Sequence, residues 1–227
     1  MAKILITGSY GLIGKKVTSF LKKKHTVKAV DLIDGFDLTS ENQVKNFFKK
    51  NNNFNFLINL HGANEHVMKS NIIKKNNREN NDEKEFEHFF KNNVFSVYLT
   101  NKYFIKYCKA GKGIINFSSI YSIMSPKHNI YSEPKSIFYV SSKFAVNGIT
   151  KYFATKYGNK ISVNTIANHG IEWKQPVSFK KKITEHIPKN RLMKVEDLYG
   201  LIELLCSQKN SYINGSTIIV DGGYSSW

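Results

Sequence analysis

Six short apolar runs recur along the chain: KILIT (3–7), TVKAV (26–30), FNFLINL (54–60), GIINFSS (113–119), ISVNTIA (161–167) and STIIVDG (216–222), each separated from the next by a stretch with helical patterning or polar sequence. Strands buried on both faces read as continuous apolar runs, and strands alternating with helices are joined by right-handed crossovers into a parallel sheet. The pattern therefore predicts an α/β fold, a doubly wound parallel sheet in one domain over residues 1–227. Ile13, Val17, Phe20 and Leu21 fall near one helical face, and Lys22 to Lys24 close that helix where cations are favoured. Similar spacing marks residues 86–107, 139–156 and 195–206. At 227 residues and 41% hydrophobic content the chain can bury one full core. The stretch KSNIIKKNNRENNDEKE (69–85) is too polar to pack and is expected to be a mobile insertion leading into a helix.

A formal net charge of +17 raises nucleic-acid binding first, but the distribution of the charge argues against it. Arg78 and Arg191 are the only arginines, and the lysines are scattered among asparagine clusters such as KKNNNFN. Bidentate recognition of bases or phosphates favours arginine. The expected partner is a small molecule, sugar-like and anionic if the charge is functional, with no nucleic acid and no membrane. No apolar run approaches membrane-spanning length and MAKILITG enters a strand pattern at once, so the expected location is the cytoplasm. Cys108 and Cys206 stand apart in helical patterns and suggest buried thiols, neither a disulfide framework nor a metal knuckle.

The first strand runs into TGSYGLIG, with Gly8, Gly11 and Gly14 spaced G-x-x-G-x-x-G and a helix following directly. Glycines there permit a tight turn and let backbone approach a pyrophosphate seated on the helix N-terminus; the same glycines also suit a purely structural turn. Asp31 follows Gly14 by seventeen residues, at the end of the second run. Its carboxylate can accept hydrogen bonds from ribose hydroxyls and repel a 2′-phosphate, or it can cap a turn. Only five residues separate Asp31 from Asp37, so the helix between the second and third strands is expected to be short or missing.

Tyr139 and Lys143, in FYVSSKF, stand four residues apart and so share a helix face. A lysine beside a tyrosine favours phenolate and lowers the phenol pKa. The pair alone is equally a surface tyrosine beside a solvated lysine.

Taken together, these segments resemble the short-chain dehydrogenase/reductase family from end to end. TGSYGLIG is similar to its cofactor loop, FDLT (36–39) to its adenine-contacting segment and NLHG (59–62) to its Asn-Asn-Ala-Gly motif after the fourth strand. NVFSVY places Asn93 at the family's helix asparagine, INFSSIYS places Ser119 at its catalytic serine, and YVSSK supplies its Tyr-x-x-x-Lys. IPKNRLMKVEDL and SYINGSTIIVDGGY resemble its closing segments. The resemblance implies a Rossmann-type fold and a catalytic set of Asn93, Ser119, Tyr139 and Lys143. Cofactor contacts would come from Gly8, Ser9, Tyr10, Gly11, Leu12, Ile13 and Gly14 in the loop, and from Asp31, Asp37 and Leu38 around the adenosine. Asn59, Leu60, His61, Gly62, Tyr139, Lys143 and Ile171 would line the nicotinamide side. The implied cofactor is NAD in preference to NADP. Tyr139 would act as general base toward a substrate hydroxyl with Ser119 holding the substrate oxygen, and Asn93 would hold a water linking Lys143 to solvent.

Three departures stand out. The glycine spacing resembles the longer, sugar-nucleotide-modifying branch of the family, whereas the length and the VDGG ending resemble the shorter one. Leu60 and His61 replace Asn and Ala, and Asn168 and His169 stand where Pro-Gly is common. Each histidine is either a substrate or ribose contact or an ordinary packed or solvent-exposed residue. The stretch HGIEWKQPVSFKKKI, the chain end and the nineteen residues between Ser119 and Tyr139 are most similar to short oxidoreductases of flagellin or surface-glycan modification in legionaminic and related nonulosonic acid pathways. That implies an alcohol/ketone oxidoreductase acting on an amino-sugar or sugar-phosphate derivative. A nucleotide-sugar epimerase or dehydratase, and a non-catalytic dinucleotide-binding scaffold, are the competing readings. Aromatic and aliphatic residues on two helices (Phe86, Phe89, Phe90, Phe95 and Tyr98; Phe144, Val146, Ile149 and Phe153) exceed what one sheet face needs, so a homodimer or homotetramer is expected.

Overall fold

The computed structural model describes residues 1–64, 82–131, 133–207 and 212–227. Six parallel strands form its sheet: β1 (Lys3–Thr7), β2 (Thr26–Val30), β3 (Phe56–Asn59), β4 (Gly113–Phe117), β5 (Ser162–Asn168) and β6 (Thr217–Val220), in the order β2-β1-β3-β4-β5-β6. All six lie where the apolar runs place them. Register aligns Leu5 with Leu57, Leu57 with Ile114 and Ile114 with Val163, so one face of the sheet carries an unbroken apolar row. That row packs with Val44 and Phe48 of α2 (Glu41–Lys50), with Leu99 and Phe104 of α4 (Ser96–Tyr107), and with Phe153 of α5 (Ile137–Tyr157). The alternate residues Ile4, Ile6, Phe56, Ile58, Ile115 and Phe117 face the other way, onto Val17 and Leu21 of α1 (Leu12–Lys22) and Ile202 and Leu205 of α7 (Tyr199–Leu205). Fully burying one such Leu or Ile contributes roughly 1.5–3 kcal/mol.

The expected helix over 86–107 exists and begins earlier. α3 (Asp82–Phe90) passes through one π-helical turn at Lys91–Phe95 directly into α4. α5 covers the expected 139–156, and the expected 195–206 is a 3₁₀ turn, Val195–Leu198, followed by α7. Of the polar stretch 69–85, residues 69–81 lie outside the described residues and 82–85 open α3. Arg78 lies outside them as well.

One local expectation needs correction. Between Asp31 and Asp37 there is only a 3₁₀ turn, Leu32–Asp34, as the spacing requires, but residues 36–39 form no strand. The next strand is β3, which pairs with β1 on the side away from β2. A full helix, α2, makes that crossing, and β2 is left as the sheet edge. Its signal was present in the sequence: Ser40 accepts from Gln43 N–H as N-cap, Val44 and Phe48 stand four apart, and Lys49 and Lys50 close the helix. α6 (Val177–Thr184), opened after Pro176, was likewise not foreseen. Both cysteines are buried free thiols, their pKa values pushed by burial up to about 11 (Cys108) and about 12 (Cys206).

Because β1 leads to β2 on one side and the chain then returns to β3 on the other, the connections diverge between the carboxyl ends of β1 and β3. In open α/β sheets that divergence leaves the crevice where ligands bind.

Candidate active site

The glycine turn closes on itself at atomic contact. Gly8 has φ +71°, and a Cβ there would lie 2.5 Å from His61 N; a Cβ on Gly14 would lie 2.1 Å from the Gly8 carbonyl oxygen. Gly11 N–H donates to that same carbonyl at 3.2 Å and Gly11 caps α1 without a side chain. The first-turn amides of α1, from Leu12 to Gly14, thus face outward with no acidic residue beside them. The Ser9 hydroxyl is buried there with no partner among the described residues. An orphaned hydroxyl, bare helix amides and a cradle that any side chain would fill together fit the pyrophosphate of a dinucleotide.

At the end of β2, Asp31 accepts from Tyr10 N–H at 2.9 Å and from Ile33 N–H at 3.3 Å, which ties the carboxylate to the rim of the glycine turn. Tyr10 is half exposed above it, and the charge of Asp34, to which its hydroxyl is hydrogen-bonded, raises its phenol pKa. Asp37 Oδ1 accepts from both the N–H and the hydroxyl of Thr39 at 2.8 Å, so it caps a turn. Leu38 is buried in the α2 side of the core.

The NLHG segment splits. Asn59 is buried inside the sheet–helix layer, donating to Asn101 at 2.9 Å and Asn116 at 2.8 Å, and Asn116 in turn donates to Thr150. Leu60, Ile13 and Ile171 pack on the α1 side of the core. His61 bridges two elements: its Nδ1 lies 2.6 Å from the Thr7 hydroxyl and its Nε2 2.9 Å from that of Ser96. Ser96 gives its own proton to the Asn92 carbonyl at 2.6 Å, which assigns the imidazole proton to Nε2 and makes Nδ1 the acceptor. Burial, with the Lys143 charge nearby, pushes the His61 pKa down to about 3, so the ring is a neutral strut. Gly62, at φ +155°, passes between Asn93 and Lys143; a Cβ there would sit 3.0 Å from Asn93 Oδ1 and 3.5 Å from Lys143 Nζ.

Asn93 lies on the π-helical turn, a distortion that often marks functional sites. Its amide is committed on three sides: Oδ1 accepts from Ala63 N–H at 2.6 Å, and Nδ2 donates to the Ala63 carbonyl at 3.2 Å and the Ser142 hydroxyl at 3.0 Å. The side chain thus clamps the Gly62–Ala63 backbone. α5 starts at Ser136, whose hydroxyl accepts from Phe138 N–H and Tyr139 N–H. Ser118 Oγ donates to the Lys143 carbonyl at 2.8 Å and Asn147 donates to the Ser122 carbonyl, so the exit of β4, which carries Ser119, is pinned to α5. Ser119 Oγ accepts from Tyr121 N–H at 3.2 Å, which leaves the hydroxyl proton able to donate. Lys143 is buried, with no carboxylate paired to it among the described residues, and burial pulls its pKa down to about 8. Its Nζ lies 5.7 Å from the Tyr139 ring centroid, and Phe89 meets that ring edge-on.

Several residues around Tyr139 escaped the sequence reading. Lys135, also buried, sits 6.0 Å from the Tyr139 ring centroid and 4.9 Å from that of Tyr131, whose hydroxyl is bonded to that of Tyr121. Lys127 lies over the Tyr224 ring at 5.5 Å. No regular spacing links these positions; the signal available was the YSEPK segment ahead of the Tyr-x-x-x-Lys. His169 is buried against Tyr224, ring centroids 4.6 Å apart, and burial lowers its pKa.

Comparison with known proteins agrees with this geometry. Residues 13–225 match the family model described as enoyl-(acyl carrier protein) reductase. Curated relatives include a 7alpha-hydroxysteroid dehydrogenase from Paraclostridium sordellii (34% identical over 64% of this chain and 55% of the relative) and a 2-dehydro-3-deoxy-D-gluconate 5-dehydrogenase from Dickeya dadantii (31% over 70% and 64%). Post-translational flagellin modification protein A of Campylobacter coli is 29% identical over 56% of this chain and 52% of that protein. The chain thus spans between about half and two thirds of the curated relatives it matches. Among solved structures, a short chain dehydrogenase from Leptospira borgpetersenii with bound NAD+ superposes at a TM-score of 0.81 with 25% identity, covering 99% of this chain and 92% of that one. A gluconate 5-dehydrogenase from Burkholderia cenocepacia in complex with NADP and tartrate gives 0.79 at 19% identity over 100% and 96%, a likeness of fold.

Proposed function

Because the chain belongs to the short-chain dehydrogenase/reductase family, we propose that it is a nicotinamide-dependent oxidoreductase interconverting an alcohol and a ketone on a sugar-like, acidic substrate, as a single NAD(P)-binding domain. The observation that carries the reading is the α5 pair: Tyr139 and Lys143 one turn apart, the lysine buried beside the tyrosine ring. Below about pH 8 the Lys143 ammonium is charged and favours the Tyr139 phenolate. Tyr139 Oη then takes the proton of the substrate hydroxyl in oxidation and returns it in reduction. Ser119, accepting from Tyr121 N–H, donates its proton to the same substrate oxygen and steadies the developing charge. Asn93 fixes the Gly62–Ala63 backbone beside Lys143 and acts as a positioning residue.

The Gly8–Gly14 turn, Ser9 and the α1 N-terminus would hold the pyrophosphate, Asp31 the adenosine ribose, and Lys143 with the Gly62 backbone the nicotinamide ribose. The cofactor, once bound, accepts or supplies the hydride. Two features favour NAD. Asp31 and Asp34 stand together at the end of β2, and Lys16, one of the lysines within reach, is paired with Glu196 at 2.9 Å.

The acidic, sugar-like substrate class rests on Lys135 beside Tyr131 and Tyr139, on Lys127 over Tyr224, and on a relative named for 2-dehydro-3-deoxy-D-gluconate. A role in surface-glycan modification rests on the flagellin modification relative. Oligomerisation rests on an apolar groove of about 720 Å³ between α3–α4 and α5, lined by Phe90, Val94, Phe95, Tyr98 and Ile149 with Glu87 and Lys91. The test is turnover of sugar acids, followed by reduced-nicotinamide absorbance with either cofactor, in the wild type and Tyr139→Phe. Cofactor-dependent turnover lost in the variant, with cofactor binding kept, supports the reading. Turnover that survives Tyr139→Phe overturns it, and consumption of a nucleotide-sugar with no net absorbance change would point to an epimerase or dehydratase instead.

A further inference from the structure

The segment after β6 packs into the cluster that holds Tyr139. After β6, Asp221 accepts from Gly223 N–H, Ser225 N–H and the Ser225 hydroxyl, and Gly222 and Gly223 hold φ values of +67° and +91°. A Cβ at Gly223 would lie 2.8 Å from the Pro188 ring. This tight turn drives the Tyr224 side chain inward until it is 1% exposed, its ring tilted against that of His169 just after β5. Tyr224 shares one apolar cluster with Tyr121, Tyr131 and Tyr139. Burial first, and then Tyr131, raises the pKa of Tyr224; burial, and then Tyr131, Tyr224 and Tyr139, raise that of Tyr121. Four tyrosines from three separate segments therefore meet in the cluster that holds Tyr139.

At the Tyr224 edge of that cluster two polar atoms stand out. Tyr224 Oη and His169 Nδ1 are both buried with no hydrogen-bond partner among the described residues, although their rings touch. Burying such an atom unpaired is costly, and native structures rarely keep two side by side without use. Tyr121 and Tyr131, by contrast, satisfy each other.

Resting on the oxidoreductase reading above, we propose that Tyr224 is a substrate-binding residue whose hydroxyl hydrogen-bonds a second oxygen of the substrate, next to the carbon held by Ser119 and Tyr139, with His169 as the platform that fixes its ring. The site thereby selects a polyhydroxylated substrate over a lone secondary alcohol. A site built to hydrogen-bond a substrate hydroxyl discriminates strongly against an analogue without one, because its own polar group is then left unpaired.

The experiment compares wild type and Tyr224→Phe for melting temperature, cofactor affinity and steady-state kinetics on a panel of D-gluconate, 2-dehydro-3-deoxy-D-gluconate and propan-2-ol. The phenylalanine variant removes only the orphaned hydroxyl. It is expected to melt at the same temperature or higher and to bind cofactor unchanged. KM for the aldonate turned over should rise about five- to thirtyfold with kcat little altered, the range expected for one hydrogen bond, and any turnover of propan-2-ol should be unaffected. A fall in melting temperature with unchanged KM would mean that the hydroxyl serves folding, and the proposal fails. Unchanged KM with unchanged melting overturns it as well. If the wild type turns over no member of the panel, the aldonate reading of the substrate falls, and this assignment with it.

Discussion

Lys143 Nζ sits 5.7 Å from the centroid of the Tyr139 ring, one turn further along α5, at a depth where burial lowers its pKa to about 8. The unfolded lysine titrates near 10.5, so below pH 8 both states are charged and the folded one carries the whole burial penalty, about 3 kcal/mol for that displacement. Between about 8 and 10.5 the unfolded chain binds the extra proton and stability rises with pH; above that the penalty is gone. Lys143→Met should therefore abolish turnover while raising stability at pH 7 by about 1–3 kcal/mol, and flatten the alkaline rise. Urea unfolding at pH 7 and pH 10 checks this, and a less stable variant at pH 7 would refute it.

On the proposed reading, the choice of cofactor is set at the end of β2. A 2′-phosphate on the ribose held by Asp31 would bring like charge within about 4 Å, worth roughly 1–4 kcal/mol at intermediate dielectric. Asp34 adds a second carboxylate beside Tyr10, and Lys16 is engaged by Glu196. Calorimetric titration should find NAD bound at least several-fold more tightly than NADP, and Asp31→Ala should narrow the gap. Equal wild-type affinities, or the same ratio in the variant, would remove Asp31 from this role.

Assembly is expected to use the outer faces of α3–α4 and α5. Phe86 is 44% exposed, Phe95 42% and Phe144 45% on these helices, and Phe95 lines an open apolar groove. Contiguous exposed aromatic surface of this kind marks an interface, and a second copy supplies the same face. Phe95→Glu should shift the mass in light scattering from oligomer to monomer with little loss of secondary structure. A wild type already monomeric at micromolar concentration would rule the interface out.

How far the sequence could be read depended on whether a signal was local. The strands were legible because each is a continuous apolar run, and Tyr139 with Lys143 because helix geometry alone brings residues four apart onto one face. Helical periodicity does not say which of two apolar faces turns inward, so Phe89, Val146 and Phe153, counted toward an interface, are in fact buried at 1%, 0% and 3%. The five residues between Asp31 and Asp37 suggested a short or missing helix, yet Asp37 binds Thr39 and turns the chain into the full helix α2. The clamp of Asn93 on Ala63, the four-tyrosine wall and the approach of Lys135 to Tyr139 join segments whose proximity is created by the fold, and no spacing rule announces them.

The departure from the family pattern at His61 has a consequence in acid. Its ring joins the Thr7 hydroxyl of β1 to the Ser96 hydroxyl of α4, and its pKa of about 3 lies far below the ordinary 6.5. A group depressed in the folded state contributes its full stability above 6.5 and loses it as pH falls toward 3, because the unfolded chain takes up the proton first. Between pH 7 and 5 that loss is about 2 kcal/mol for one such histidine. His25, His88 and His169, also lowered by burial, act in the same direction, so the wild-type curve alone does not isolate His61. His61→Ala, which restores the residue common to the family, leaves Thr7 and Ser96 without their shared partner and should cost about 1–3 kcal/mol at pH 7. The variant should also lose less on acidification, so that the gap to wild type narrows by about 2 kcal/mol between pH 7 and 5. Urea midpoints for both proteins at the two pH values measure that difference. Parallel losses would show that His61 is not held neutral by its surroundings, and a variant as stable as wild type at pH 7 would show that the bridge between β1 and α4 does not contribute to the fold.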